Sequence, residues 1–412
     1  MIKYEKFVLE NGLKVIVHQD KSTPLACINI LYNVGSRDEN SEQTGFAHLF
    51  EHLMFGGSVN IPSYDEPLQM VGGENNAFTT NDITNYYLTL PSDNLETGFW
   101  LESDRMLSLA FSEKSLEVQR NVVIEEFKQR YLNQPYGDVW LLLRPMAFKV
   151  HPYQWDTIGK EISHIENAKM DDVKNFFKKF YCPNNAIMVV AGNVELEEVK
   201  KLSEKWFAPI PKGPNNQRNL PQEPEQIEAR SLSVDRDVPV DAIYKAYHMC
   251  SRYDKEYYSV DLISDILSRG NSSRLYNALI KEKKLFSDLN AYVMGEFDKG
   301  LFVISGKLSK GVSMEDADKA IDVELQKIKT EFVTVDELTK VKNKIEASHV
   351  FGEVEVLNKA TNLAVAELLG NAEIVNQEVG KYLSVTAEQI KEQANIIFRN
   401  ENCSTLYYNA KK

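Results

Sequence analysis

The amino-acid sequence predicts an α+β fold made of two homologous α/β sandwich domains, each with a mixed, mainly antiparallel sheet and helices on one face. Three observations lead to this prediction. Strand-like and helix-like segments recur in the same order in both halves, the halves match at a fixed offset, and a linker-like stretch separates them. We therefore expect an N-terminal domain at residues 1–210, a linker at 211–228 and a C-terminal domain at 229–412.

The predicted strands are short apolar runs, rich in β-branched residues and bounded by turn signals. The first residues of the chain are predicted to form a strand. The next strand, Leu13–His18, follows the turn-forming pair Asn11-Gly12. Helices are predicted where apolar residues recur with helical spacing between polar ones. The other clear strands are Ala186–Ala191 and Leu301–Ser305, and the clearest helices are Asp171–Tyr181 and Asp336–Gly352.

A shift of 215 residues brings the two halves into register. Pro24–Tyr32 then falls on Pro239–Tyr247, with Pro, Ile and Tyr in common. Between the halves, residues 209–224 are rich in Pro, Gly and Asn and poor in apolar residues, which is typical of a linker. The sequence therefore indicates one structural unit used twice.

Composition limits the class of protein. The 412 residues are 43% hydrophobic and 26% charged, as in soluble globular proteins. The formal net charge of −13 argues against nucleic acid and against an anionic membrane as partners. Since no apolar run reaches bilayer length and the first residues lack a signal-peptide pattern, we expect a cytoplasmic protein. The four cysteines are scattered, so buried thiols are expected rather than disulfides.

The most informative residues are His48, Glu51 and His52, which lie in a Gly-bounded segment with helical apolar spacing. Two histidines four positions apart project from one face of a helix, where both can bind one metal ion. Glu51 lies on that face as well, within reach of a water bound to the metal. This arrangement is the inverted zinc-peptidase motif H-x-x-E-H.

Catalytic zinc needs a third protein ligand and an open coordination position. Glu125 and Glu126 lie in Glu117–Phe127, a segment predicted to form a helix with one charged face and one Val/Ile face. Either carboxylate can supply the ligand, and the alternative is a solvated acidic pair on an exposed helix. The shift of 215 residues places apolar residues at the three motif positions, so we expect one zinc ion per chain; these residues are Ile263, Ile266 and Leu267.

The motif belongs to a longer set of segments in which the chain resembles the pitrilysin/insulinase family of zinc peptidases, in the branch of bacterial and mitochondrial-processing-peptidase-like subunits. The resemblance implies two halves related by an internal pseudo-two-fold. It also implies a zinc-dependent endopeptidase or oligopeptidase that hydrolyses unstructured peptides, with Glu51 as general base. The matching segments are Asn11–Val15, Gly35–Glu39, Gly45–Phe55, Gly72–Thr79, Gln119–Glu126, Gln134–Gly137, His151–Tyr153 and Ser272–Tyr276.

The resemblance also assigns the third ligand. In the family, an E-R-x-V-x-x-x-E pattern ends in the distal zinc ligand. Laid over this chain, the pattern places that ligand at Glu126, with Glu125 as second choice. The pattern's first Glu, thought to support the site, is Gln119 here, which weakens any role for this position.

The family further implies where a peptide binds. In relatives, the residues that match Asn76, Ala77 and Phe78 hold the substrate as an added β-strand. From the sequence, this segment leads into an edge strand that ends near Leu90. His151 is a weaker candidate, since it can line the cleft, although a loop histidine beside proline is more often structural.

One family feature is missing. Many active relatives carry an Arg and a Tyr seven residues apart, but the corresponding segment here has Ile280 and Ser287. In some two-chain relatives, a subunit without zinc supplies the pair. We therefore expect a heterodimer with a homologous zinc-less chain, or alternatively a homodimer in which another side chain substitutes. A non-catalytic or partner-dependent subunit of a peptidase complex is the alternative function; the substituting candidates are Arg274, Tyr276 and Tyr292.

Overall fold

The strands of residues 1–411, the part of the chain that this computed structural model describes, form two separate β-sheets. The strands of the first sheet are β1 Glu5–Val8, β2 Lys14–Gln19, β3 Leu25–Tyr32, β4 Glu74–Thr79, β5 Thr84–Pro91 and β6 Ala186–Gly192. The strands of the second sheet are β7 Arg230–Arg236, β8 Ala242–His248, β9 Phe286–Met294, β10 Leu301–Leu308 and β11 Cys403–Ala410.

The helices pack against these two sheets, and no helix among residues 1–411 is both long enough and apolar enough to cross a membrane. Those of the first half are α1 Phe46–Leu53, α2 Asp65–Met70, α3 Leu95–Leu107, α4 Glu113–Phe127, α5 Val139–Ala147, α6 Ile162–Glu166, α7 Met170–Phe180 and α8 Leu196–Trp206. Those of the second half are α9 Tyr257–Ser268, α10 Met314–Thr330, α11 Val335–Gly352, α12 Val356–Leu368, α13 Ile374–Ser384 and α14 Ala387–Ile397.

The two sheets share one topology, as the internal repeat predicts. The first has the order β1-β2-β6-β3-β5-β4 and the second the order β7-β11-β8-β10-β9. One pair is parallel in each, β2 with β6 and β7 with β11, and the other pairs are antiparallel. Without β1, the orders correspond strand for strand, and the sequences that match at the shift of 215 residues form the central strands β3 and β8. The α+β fold with two mainly antiparallel sheets is confirmed.

Most predicted elements occur where the pattern placed them, and residues 211–228 contain no helix or strand. The prediction of one strand running to Leu90 is wrong. Thr80 closes a turn by donating its backbone N–H to the carbonyl of Ile83 at 2.8 Å, and its hydroxyl accepts the N–H groups of Asp82 and Ile83. The segment therefore folds into a hairpin, in which β4 is the edge strand and β5 lies inside the sheet.

Contacts divide the chain into two compact units that are interleaved in sequence. The first unit contains Met1–Phe127, Trp155–Leu220 and Val350–Gln377, and the second contains Lys128–Gln154, Pro221–His349 and the chain from Glu378 onward. The predicted contiguous domains describe homologous halves. They differ from these contact-defined units because residues 128–154 and 350–377 each pack with the other half.

In the first unit, α12 adds a layer to the single helical layer that the sequence predicts. The side chain of Ile28 meets α3 at Gly98, where a Cβ would lie 2.7 Å from its Cδ1. The next residue, Asn29, points to the opposite face and accepts the hydroxyl of Thr361 on α12 at 3.2 Å. Helices therefore cover both faces of this sheet, and strand β6 is buried along its whole length.

Candidate metal centre

The N-terminus of α1 is fixed by two backbone features. Gly45 precedes the helix with φ +87°, a conformation that favours glycine, and a Cβ there would lie 2.8 Å from the carbonyl oxygen of Ile158. The buried carboxyl group of Glu39 accepts the N–H groups of Gly45 at 2.9 Å and Ala47 at 2.8 Å. Burial raises the pKa of Glu39 to about 8, although the two N–H donors act in the opposite direction.

Helix α1 has one apolar face and one face of candidate metal ligands. Phe46, Ala47, Leu49, Phe50 and Leu53 are buried, which fixes the rotation of the helix. The motif residues project from the other side and are half-buried; they are His48, Glu51 and His52. The two imidazole rings lie 4.8 Å apart between centroids, as expected for positions one helical turn apart.

Helix α4 lies against α1 and brings Glu126 to the two histidines. One carboxylate oxygen of Glu126 is 3.7 Å from Nε2 of His48 and 3.6 Å from Nε2 of His52. The neighbouring Glu125 is exposed, whereas Glu126 is half-buried. The tertiary structure therefore favours Glu126 over Glu125 as third ligand.

The three donors suit a zinc ion. Their ligand atoms all lie within 4.8 Å of one another. The two His–Glu distances, 3.7 and 3.6 Å, are longer than an ordinary hydrogen bond. Ligand atoms about 2.0–2.1 Å from a tetrahedral zinc ion lie roughly 3.3 Å from each other. The observed His–Glu separations are close to this value, and two imidazoles with one carboxylate are a common donor set for catalytic zinc.

Glu51 points towards the edge of the first sheet. The hydroxyl of Thr79, the last residue of β4, donates a hydrogen bond to Oε2 of Glu51 at 2.5 Å. Strand β4 pairs with β5 alone among the strands of residues 1–411, so its other edge is unpaired. The metal-binding face of α1 is therefore linked directly to a strand with a free edge.

The predicted peptide-binding residues lie on this edge strand. Asn76 and Phe78 are exposed and Ala77 is half-buried, in keeping with the alternation of a strand. The side-chain oxygen of Asn76 accepts the backbone N–H of Ala77 at 2.8 Å. A β-strand added at this edge would find main-chain groups beside α1, as the peptide-binding prediction requires.

Beneath the site lies a buried charged cluster that the sequence analysis missed. Arg105 on α3 forms a two-pronged ion pair with Glu102, with Nε–Oε2 at 2.8 Å and Nη2–Oε1 at 2.7 Å. Its guanidinium lies 4.6 Å from the ring centroid of Tyr86 and 4.7 Å from that of Tyr64. Tyr64 also donates its hydroxyl to Glu102, and burial raises the pKa of Tyr86 well above its ordinary value.

The remaining candidates lie elsewhere. Gln119 is half-buried on α4, two turns before Glu126. His151 is buried in the second unit, where its Nδ1 accepts the N–H of Tyr153 at 3.2 Å and its Nε2 is 3.3 Å from Asp298. The described contacts of His151 therefore lie within the second unit.

Comparison with known proteins agrees with this fold. Residues 14–150 match the sequence profile of the family described as Insulinase (Peptidase family M16), and residues 167–345 match the profile described as Peptidase M16 inactive domain. The chain is 30% identical to "Zinc protease PqqE" of Helicobacter pylori, over 98% of this chain and 92% of that protein. The chain belongs to the pitrilysin/insulinase family, also called peptidase family M16.

Two further relatives bear on assembly and fold. The chain is 24% identical to "Probable mitochondrial-processing peptidase subunit beta, mitochondrial" of Arabidopsis thaliana, over 82% of this chain and 66% of that protein. The crystal structure of a protease from Helicobacter pylori superposes with a TM-score of 0.93 at 28% identity, covering 99% of this chain and 100% of that chain.

Proposed function

We propose that the chain is a zinc-dependent endopeptidase or oligopeptidase that hydrolyses unstructured peptides. The observation that carries this proposal is the convergence of His48, His52 and Glu126 from two helices, with Glu51 on the same face of α1. With three protein ligands, a tetrahedral zinc ion would keep its fourth position for water, which distinguishes a catalytic zinc site from a structural one. The name of the relative "Zinc protease PqqE" supports the same conclusion.

The residues of the chain have separate roles in this proposal. His48, His52 and Glu126 would hold one zinc ion, which would lower the pKa of a bound water and polarise the carbonyl of the substrate. Glu51 takes a proton from the attacking water and passes it to the leaving amine. Because Glu51 lies one residue before His52, the base is held at a fixed distance from the ligands by the helix itself.

The edge strand supplies the binding surface. A peptide that pairs with the free edge of β4, along Asn76, Ala77 and Phe78, gains main-chain hydrogen bonds that depend little on its sequence. Such binding requires the peptide to be extended, so a folded protein cannot occupy the edge. This explains the proposed preference for unstructured substrates.

The test distinguishes the role of Glu51 as base from the role of the histidines as zinc ligands. Glu51→Gln keeps the shape of the side chain, so the variant should retain about one zinc ion per chain while hydrolysis of an unstructured peptide falls about 10²- to 10⁴-fold. His48→Ala should lose both zinc and activity. Glu125→Gln is the matched control, because this exposed carboxylate should affect neither. Normal hydrolysis by the Glu51→Gln variant would contradict the assigned mechanism.

The alternative function, a partner-dependent subunit, is favoured by a specific gap in the second half. Ile280 packs against the core of the second unit and Ser287 is exposed on β9, so neither position offers the donor that many relatives have. Losing one donor to the developing oxyanion typically costs about 10²–10³ in rate. The name "subunit beta" of the Arabidopsis relative agrees with a heterodimer in which a homologous zinc-less chain supplies the missing pair.

The homodimer alternative finds less support. Arg274 already forms a two-pronged ion pair with Glu337, at 2.7 and 2.9 Å, and Tyr292 is half-buried against a hydrophobic cluster of the second unit. The purified chain should therefore bind zinc yet hydrolyse peptides slowly, and a homologous zinc-less chain should restore the rate. Full activity of the chain alone, unchanged by substitution of Arg274, Tyr276 or Tyr292, would rule out both forms of partner dependence.

A further inference from the structure

The hydrogen bond between Thr79 and Glu51 joins the edge strand β4 to helix α1. Thr79 ends the edge strand β4, and Glu51 lies in α1, 28 positions earlier in the sequence. In a strand, alternate side chains share a face, so Ala77 and Thr79 point to one side and Phe78 to the other. The side of Thr79 faces α1, because α1 lies against β4.

This bond restricts the rotation of a long side chain. A glutamate can adopt many rotamers, and ordering it costs conformational entropy. A hydroxyl that donates to a carboxylate makes a charge-assisted bond, which is stronger than a bond between neutral groups. The 2.5 Å separation lies at the short end of the range for such bonds, so Oε2 of Glu51 is held by the hydroxyl of Thr79.

We infer that Thr79 is a positioning residue, whose hydroxyl holds the Glu51 carboxylate in the orientation in which it accepts a proton. The inference rests on the proposed function, since it assigns Glu51 the role of base. It adds a link between substrate and base, because Thr79 directly follows the strand residues along which the peptide would pair. The position of a peptide on β4 is thus fixed relative to the base on α1. Catalysis is sensitive to small changes in the distance between a substrate and a catalytic group.

The first test compares three variants with zinc bound. Thr79→Val keeps the branched shape and the strand preference but removes the donor, so kcat should fall about 10- to 100-fold while KM stays within about twofold. Thr79→Ser keeps the hydroxyl and should return kcat to within about threefold of the wild type. Thr89→Val is the matched control, because its hydroxyl donates to the exposed Glu74 on the same hairpin, and its kcat should be unchanged. Zinc content should be the same in all variants.

The second test does not depend on activity. In the metal-free chain, Thr79→Val should lower the thermal midpoint by about 2 to 5 °C, and the same change in a Glu51→Ala background should not, because the acceptor is gone. Equal shifts in the two backgrounds would overturn the inference, as would an unchanged kcat in Thr79→Val or a failure of Thr79→Ser to restore it. If the wild-type chain hydrolysed no peptide even with a partner, the proposed function would fail, and the comparison of midpoints would still decide whether Thr79 holds Glu51.

Discussion

Replacing Arg105 by Met should destabilise the chain strongly, because it leaves the carboxylate of Glu102 buried without its counter-charge. Both side chains are almost inaccessible, at 1% and 0% exposure, and two short contacts join them. Removing one partner of a buried ion pair typically costs about 3–5 kcal/mol. Loss of the guanidinium stacked on Tyr64 and Tyr86 adds about 1–2 kcal/mol, and Met fills much of the same volume, so the cavity term is small.

The assay is urea denaturation of the metal-free chain, followed by circular dichroism. Arg105→Met should reduce the free energy of unfolding by about 4–7 kcal/mol. Adding Glu102→Gln should recover a large part of the loss, because the unpaired charge disappears while the side chain can still accept the hydroxyl of Tyr64. Arg105→Lys keeps the charge but not the two-pronged geometry and should fall between the wild type and Arg105→Met. A cost of Arg105→Met below about 1 kcal/mol, or no recovery with Glu102→Gln, would refute this reasoning.

Three further predictions concern the metal-binding helices. Glu126→Gln should weaken zinc binding far more than Glu125→Gln in a chelator competition, and the reverse order would move the third ligand to Glu125. Gly45→Ala should cost about 1–3 kcal/mol in thermal unfolding and also weaken zinc binding, because alanine is strained at φ +87° and its Cβ meets the carbonyl of Ile158. Since burial raises the pKa of Glu39 from 4.5 to about 8, the folded chain binds this proton more tightly than the unfolded chain does. Its stability should therefore fall as the pH rises from about 5 to 8, and an equal slope in Glu39→Gln would contradict this.

The sequence placed the motif residues on one face of a helix because local spacing defines that face. His48, Glu51 and His52 lie within five positions, and helical geometry alone places them on one face. The third ligand is different, since Glu125 and Glu126 are adjacent and equally acidic. Only the packing of α4 on α1 shows that Glu126 is half-buried beside the histidines while Glu125 is exposed.

Other parts of the site had weaker signals in the sequence. Glu39 and Thr79 both lie in segments that match the family. Each, however, forms its hydrogen bond with a residue of α1, Glu39 with Ala47 and Thr79 with Glu51, and the sequence does not show these contacts. Arg105 gave a local signal, a Glu three residues earlier in a helical pattern, but such pairs usually lie on exposed surfaces. Its burial beneath the rings of Tyr64 and Tyr86 follows from the way α3 packs, which no local pattern records.

The sequence by itself determined the α+β class, the internal repeat, the linker and the shared face of His48, Glu51 and His52 on α1, since apolar periodicity and residue spacing are local properties. The tertiary structure decided that residues 128–154 belong to the second compact unit and residues 350–377 to the first. It also decided that β4 is an edge strand joined to Glu51 through Thr79, and that Glu126 stands beside the two histidines. These features arise from packing between segments far apart in the chain. Local spacing does not determine which of these segments come into contact.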